Sequence, residues 1–280
     1  MYTPFTQTEI EARLRKIKHV ALDMDGTIYL GATIFPWTIE FLQNLKANGI
    51  GYSFLTNNPS KSLADYLHKL ENMGIHATPD EMYTTAVAMV DFLKSKHPEI
   101  KRLFVLGTPS TQSQFLDAGF VLTRDDAEDV PDAIVLAFDM TLEYSRLCRA
   151  AWWVSQGKPY FATNPDKVCP TNLPTVLVDT GSLRACIAEA TGRMPDVTLG
   201  KPDPEMLSGI LEKHGLQRDE VAMVGDRIYT DIAMARNAGV LGVLVLSGET
   251  TLETALSSNP QPDLTVENIA ELGQLLLANR

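Results

Sequence analysis

Apolar positions in the first eighty residues alternate between short continuous runs and helically spaced stripes. Residues 17–24, Ile-Lys-His-Val-Ala-Leu-Asp-Met, predict a buried strand whose apolar run stops abruptly at acidic residues. A loop follows through Gly26 and Gly31. Trp37, Phe41, Leu42 and Leu45 then recur at helical spacing over 37–48, and Gly49 closes that helix. Residues 51–55 predict a second strand, which again ends in polar residues: Thr56, Asn57 and Asn58. Beyond Pro59, Ser60 is the expected N-cap of a helix carrying Leu63, Leu67 and Leu70 and ended by Gly74. Strands alternating with helices predict a parallel, doubly wound α/β sheet. Right-handed crossovers place the strand C-termini on one edge, where such sheets bind ligands.

The alternation continues with a helix over 80–94, capped by Asp80 or Thr78, and a strand over 102–106. A helix at 110–118, a strand at 133–138 and a helix at 142–156 follow, the last carrying Trp152 and Trp153. A short strand at 159–162 and a helix at 182–191 complete a set large enough for its own core. From Gly200 the style of the first eighty residues returns: helix 204–214, strand 221–224, helix 231–237 and strand 242–245. Leu264 and Thr265 predict a late edge strand, and a helix over 267–278 ends the chain. The expected architecture is a Rossmann-like doubly wound parallel sheet core formed by 1–82 and 196–280, interrupted by an inserted α/β domain over 83–195.

Charge narrows the partners. With 24 Lys and Arg against 35 Asp and Glu, the net charge is −11. Phosphate backbones and anionic lipids are repelled by such a surface, which argues against nucleic acid polymers and membranes, whereas a local basic pocket still accepts a small anion. Cys148, Cys169 and Cys186 form no CxxC pair and are odd in number, the usage of a reducing compartment. The polar first fifteen residues lack the apolar region of a signal peptide, and the longest aliphatic stretch, 240–246, is too short to span a bilayer. A cytoplasmic enzyme or binding protein is the expectation.

Three strand ends carry the chemistry. Asp23-Met24-Asp25-Gly26-Thr27 tips the first strand with two acids, which are costly to desolvate unless a cation compensates or a proton is shared. Gly225-Asp226-Arg227 repeats the logic after the run 221–224. Asp231 lies five residues beyond Asp226, where Thr230 or Asp231 is placed to cap the next helix. Asp23, Asp25 and Asp226 form a candidate hard-cation site, for which Mg²⁺ with its oxygen ligands is the natural occupant, and Asp231 is a candidate brace behind it. Thr56, Asn57 and Asn58 offer a hydroxyl and loop N–H groups to phosphate oxygens. Lys201, set between Gly200 and Pro202, offers a fixed ammonium to an anionic substrate and to the crowded acids. Alone, each segment is also what a solvated turn looks like; their repetition at successive strand ends is what points to one shared edge.

Taken in order, Asp23-Met24-Asp25-Gly26-Thr27, Thr56 with its two Asn, Lys201, and Gly225-Asp226 with Asp231 resemble the four motifs of the haloacid dehalogenase-like (HAD) phosphatase superfamily. Ala162-Thr163-Asn164-Pro165-Asp166 resembles a stretch of its NagD-like and 4-nitrophenylphosphatase-like branch, whose insert is a C2-type cap. The resemblance implies the HAD fold and a role for each matched residue. Asp23 would be the nucleophile that forms an aspartyl-phosphate. Asp25 would be the general acid and then the base, its backbone carbonyl also binding Mg²⁺, and a less solvated position near Asp23 would raise its pKa. Thr56, Asn57 and Asn58 would hold the phosphoryl group, Lys201 would stabilise its charge, Asp226 would complete the metal ligands, and Asp231 would orient them.

The implied activity is Mg²⁺-dependent hydrolysis of a small phosphate ester. A phosphotransferase using the same phosphoenzyme and a non-catalytic metabolite-binding protein are the alternatives. A dinucleotide-dependent dehydrogenase fits poorly, because DGTIYLG rather than GxGxxG follows the first strand. In the insert, Asn164, Asp166 and the region from Asp139 to Glu143 are candidates for leaving-group contacts, with Phe138, Tyr144 or Tyr160 as apolar partners. Trp152 and Trp153 are expected in packing, Cys148 and Cys186 as small hydrophobes on helices, and a homodimer through the cap is compatible with the resemblance.

Overall fold

The computed structural model describes residues 1–169 and 174–280. The chain divides into two compact units, one formed by residues 1–55, 67–83 and 201–280 and the other by 56–66 and 84–200.

In the first unit the apolar runs become adjacent strands because both faces of each must be covered. The sheet order is Leu264–Val266, Leu241–Val245, Val221–Gly225, His19–Asp23, Gly51–Thr56 and Met82–Thr84. His19–Asp23 pairs in parallel with both Val221–Gly225 and Gly51–Thr56, with Leu22 opposite Val224 and Phe54. Val20, Leu22, Phe54, Val224 and Val243 are fully buried. Connections leave the His19–Asp23 strand towards one side of the sheet and return on the other, so its C-terminal end and that of Val221–Gly225 flank the switch point where doubly wound sheets place ligands. The late strand at 264–266 lies on the edge, as its short apolar pattern predicts.

The second unit has a five-stranded parallel sheet in the order Val197–Thr198, Tyr160–Ala162, Ala133–Leu136, Arg102–Leu106 and Val121–Leu122. Phe104, Leu106, Ile134, Leu136 and Tyr160 pack there with Ala150, Trp153 and Val154 of helix Tyr144–Ser155 and Leu183 and Ile187 of helix Thr180–Thr191. Trp153 is buried in this core, whereas Trp152, Cys148 and Cys186 are exposed, because they lie on the outward faces of their helices.

Several elements differ from the sequence reading. A helix at Gln7–Lys16 was not expected; its signal is the capping box of Thr6 and Glu9, and it buries Ile10 and Leu14. The predicted helix over 80–94 is instead a helical turn at Pro79–Glu81 with Thr78 as its cap, the strand Met82–Thr84, and helix Thr85–Lys96 capped by Thr84. Ser62, not Ser60, caps the helix Leu63–Asn72: the Asp65 N–H donates to Ser62 Oγ while Asp65 Oδ2 accepts from the Ser62 N–H. Residues 56–66, which the sequence division assigns to the core, belong to the second unit, where Thr108 Oγ1 donates to the Ser60 carbonyl at 2.8 Å and the Leu63 N–H donates to Gln114 Oε1 at 3.3 Å. No helix among the described residues is long and apolar enough to cross a membrane.

Gly209 lies inside helix Glu205–His214, where alanine ordinarily stabilises by about 1 kcal/mol. Here a Cβ would stand 2.0 Å from the hydroxyl of the buried Tyr83. Gly209→Ala is therefore expected to reverse the usual sign and destabilise by about 1–3 kcal/mol. Urea unfolding measures it, and a midpoint above that of the parent chain would refute the packing argument.

Candidate active site

Parallel pairing delivers two acids to one edge of the first unit's sheet: Asp23 ends its strand, and Asp226 follows the strand beside it. A wide helical turn at Ile228–Ile232 brings Asp231 back to them. Carboxylate oxygens of Asp23, Asp226 and Asp231 all lie within 4.8 Å of one another. The buried Lys201 ammonium donates to Asp23 and, at 2.8 Å, to Asp231 Oδ1. Asp231 Oδ2 accepts the Arg227 N–H at 3.1 Å, so Asp231 braces the loop instead of capping the following helix.

Glycines allow this crowding. A Cβ at Gly225 would stand 2.3 Å from Asp231 Cγ, and one at Gly248 would stand 2.0 Å from Asp226 Oδ2. Gly26, at φ +87°, turns the chain directly beneath Asp226, where a Cβ would meet Oδ2 at 2.4 Å. Asp226 Oδ2 accepts the Glu249 N–H at 2.7 Å, while its buried Oδ1 has no hydrogen-bond partner among the described residues. An unsatisfied buried carboxylate oxygen within an all-oxygen cluster fits a hard divalent cation such as Mg²⁺.

The remaining predicted residues sort differently. Asp25 is exposed and its side chain lies outside the carboxylate cluster, because Met24 takes the buried position and the next residue turns outward. The less solvated setting expected for Asp25 is thus not found. Thr56, Asn57, Asn58, Asn164 and Asp166 all belong to the second unit. There Asn57 Nδ2 donates to Asp166 Oδ2 at 3.0 Å, Thr56 Oγ1 accepts the Asn58 N–H at 3.2 Å, and Asn58 Oδ1 accepts the Ser60 N–H at 2.9 Å. The buried Asn164 donates to Asp179 Oδ1 at 3.1 Å. Of the proposed apolar contacts, Phe138 and Tyr160 are buried and Tyr144 is exposed. Asp179, which also caps helix Thr180–Thr191, and Glu249 were missed by the sequence reading. For Glu249 the signal was present: it follows the apolar run 240–246, as Asp23 and Asp226 follow theirs.

Comparison with known proteins agrees with this geometry. The profile of haloacid dehalogenase-like hydrolases matches residues 20–121, and a second HAD-hydrolase-like profile matches 198–272. The structure of a 4-nitrophenylphosphatase from Thermotoga maritima superposes with TM-score 0.87 and 40% identity, over 94% of this chain and 98% of that one. NagD from E. coli K-12 gives TM-score 0.82 and 29% identity, over 91% and 98%. An acid sugar phosphatase of Staphylococcus aureus is 31% identical over 92% of this chain and 97% of its own. The chain belongs to the HAD-like hydrolases, in the NagD- and 4-nitrophenylphosphatase-like branch.

In this HAD-like hydrolase, burial sets the electrostatics of the edge. It pushes the Asp23 carboxyl up to about 7 against the pull of Lys201, and it pushes Asp226 up to about 6 with help from the Asp231 charge. Burial opposes the Lys201 ammonium, but Asp23 and Asp231 outweigh it and hold the charge above its ordinary range. Raised carboxyl values favour the fold fully below about 4 and lose that contribution as pH rises through 6 and 7. A bound divalent cation replaces the protons, so its stabilisation should grow with pH. Thermal melts with and without MgCl₂ are expected to show a larger gain at pH 8 than at pH 5.5; equal gains would count against a cation among these acids.

Proposed function

We propose that this chain is a Mg²⁺-dependent phosphomonoesterase for small phosphorylated metabolites, working through an aspartyl-phosphate on Asp23. The observation that carries the reading is the strand-end Asp23 carboxylate with the Lys201 ammonium on it and the Asp226 and Asp231 carboxylates within 4.8 Å. A carboxylate attacking a phosphate ester must overcome the repulsion of two anions. Lys201 supplies fixed positive charge at the attacking group, already desolvated and held by Asp231, so little reorganisation is needed in the transition state. Mg²⁺, held by Asp23, Asp226 and the Asp25 carbonyl, would neutralise phosphoryl charge when bound.

An Asp23 oxygen forms the bond to phosphorus as the ester oxygen leaves. Asp25 gives that oxygen its proton, then takes one from water as water displaces Asp23 and releases phosphate. The exposed position of Asp25 suits exchange of that proton with solvent. Thr56, Asn57 and Asn58 bind the phosphoryl oxygens in this reading, and Asn164 and Asp166 contact the leaving group. The names of the relatives, a 4-nitrophenylphosphatase and an acid sugar phosphatase, support a phosphate monoester as substrate.

Phosphate release should be screened across sugar phosphates, glycerol phosphate, nucleoside monophosphates, pyridoxal phosphate and 4-nitrophenyl phosphate, with and without Mg²⁺. Asp23→Asn is expected to fall to background while remaining folded by circular dichroism, and Lys201→Met to lose about 10²-fold in kcat. Undiminished turnover by purified Asp23→Asn would falsify the proposal.

A further inference from the structure

Arg227 follows Asp226 directly, and its guanidinium feels the charges of Asp226, Asp23 and Glu249. Of these, Glu249 forms its ion pair: Arg227 Nε lies 2.9 Å from Glu249 Oε2, a charge contact without hydrogen-bond geometry. The same carboxylate oxygen accepts the Tyr229 hydroxyl at 3.1 Å, and the Glu249 N–H donates to Asp226 Oδ2 at 2.7 Å. Two residues earlier, Ser247 Oγ donates to the Gly26 carbonyl at 2.7 Å, which fastens this loop to the turn after Asp23. One short segment, Ser247-Gly248-Glu249, thus touches both acidic loops and the arginine that follows Asp226.

We propose that Glu249 is a positioning residue for the cation site, holding the Arg227 guanidinium out of the Asp23–Asp226–Asp231 cluster so that Asp226 Oδ1 stays available to a divalent cation. The inference rests on the reading of this cluster as a cation site. A guanidinium pairs strongly with carboxylates and is less heavily hydrated than an ammonium. Tethered one residue from Asp226, Arg227 is present at high effective concentration and competes with a cation that must come from solution. Glu249 removes the competitor by offering a carboxylate outside the cluster, and Tyr229 fixes the rotamer of that carboxylate. The Glu249 side chain is 48% exposed, so its replacement leaves no cavity in the core.

Mg²⁺ itself is the probe. MgCl₂ titration at constant ionic strength, followed by melting temperature and by calorimetry, reads its affinity without substrate. Glu249→Ala is expected to weaken Mg²⁺ binding by roughly tenfold or more. Tyr229→Phe should weaken it less, and the double variant Glu249→Ala/Arg227→Gln should regain most of the loss. Should Glu249→Ala melt well below the parent without Mg²⁺, Glu249→Gln takes its place with the same expected order. Recovery on removing the arginine separates this role from a merely structural one. Unchanged Mg²⁺ affinity in the Glu249 variant, or a double variant as weak as the single, overturns the inference while leaving the phosphatase reading standing if the parent chain binds Mg²⁺ and releases phosphate. A parent chain that binds no Mg²⁺ overturns both.

Discussion

The buried ammonium of Lys201, shared between Asp23 and Asp231, is the constraint on which the rest of the site depends. Three carboxylates crowd the same sheet edge, and one ammonium offsets only part of their charge. Removing one partner from such a network leaves an uncompensated buried charge, which costs far more than the pair contributes. The arrangement is therefore specific in geometry and incomplete in charge. Glycines at 26, 225 and 248 bring backbone against the acids where any side chain would collide with them.

Much of this was legible in the residues. Apolar runs ending abruptly at Asp23 and Gly225 gave both the strands and the chemistry, because a parallel strand buried on both faces must show a continuous run and its C-terminal end must face the ligand edge. Lys201 was identifiable as a cation facing acids, although its partnership with Asp231 was not, since Asp231 also reads as a helix cap. Met82–Thr84 escaped notice because three residues are too few to show a period of two inside a helix-like stretch. Asp25 was misplaced in environment: alternation along a strand predicts sides, but the chain has left the strand by Met24, and burial there follows the turn.

The second unit shows how little local sequence says about long-range polar partners. Asn57 and Asp166 are 109 positions apart and hydrogen-bonded, and Asn164 is tied to Asp179, 15 positions away. Segment 56–66 follows a core strand in sequence, yet its carbonyls and side chains are satisfied by Thr108, Thr111 and Ser110. Its neighbours in space, not chain order, assign it to the second unit.

The position of His19–Asp23 in the interior of its sheet has a consequence for biosynthesis. One neighbour, Gly51–Thr56, emerges from the ribosome soon after it, but the other, Val221–Gly225, is translated some two hundred residues later. Until then the nascent chain carries a strand of apolar residues with one side unpaired, the condition under which partly made proteins associate wrongly. The second unit, contiguous over most of its length, has all its sheet strands before that moment. Closure of the first unit's sheet is thus a late event, reached only once the inserted unit has been made in full.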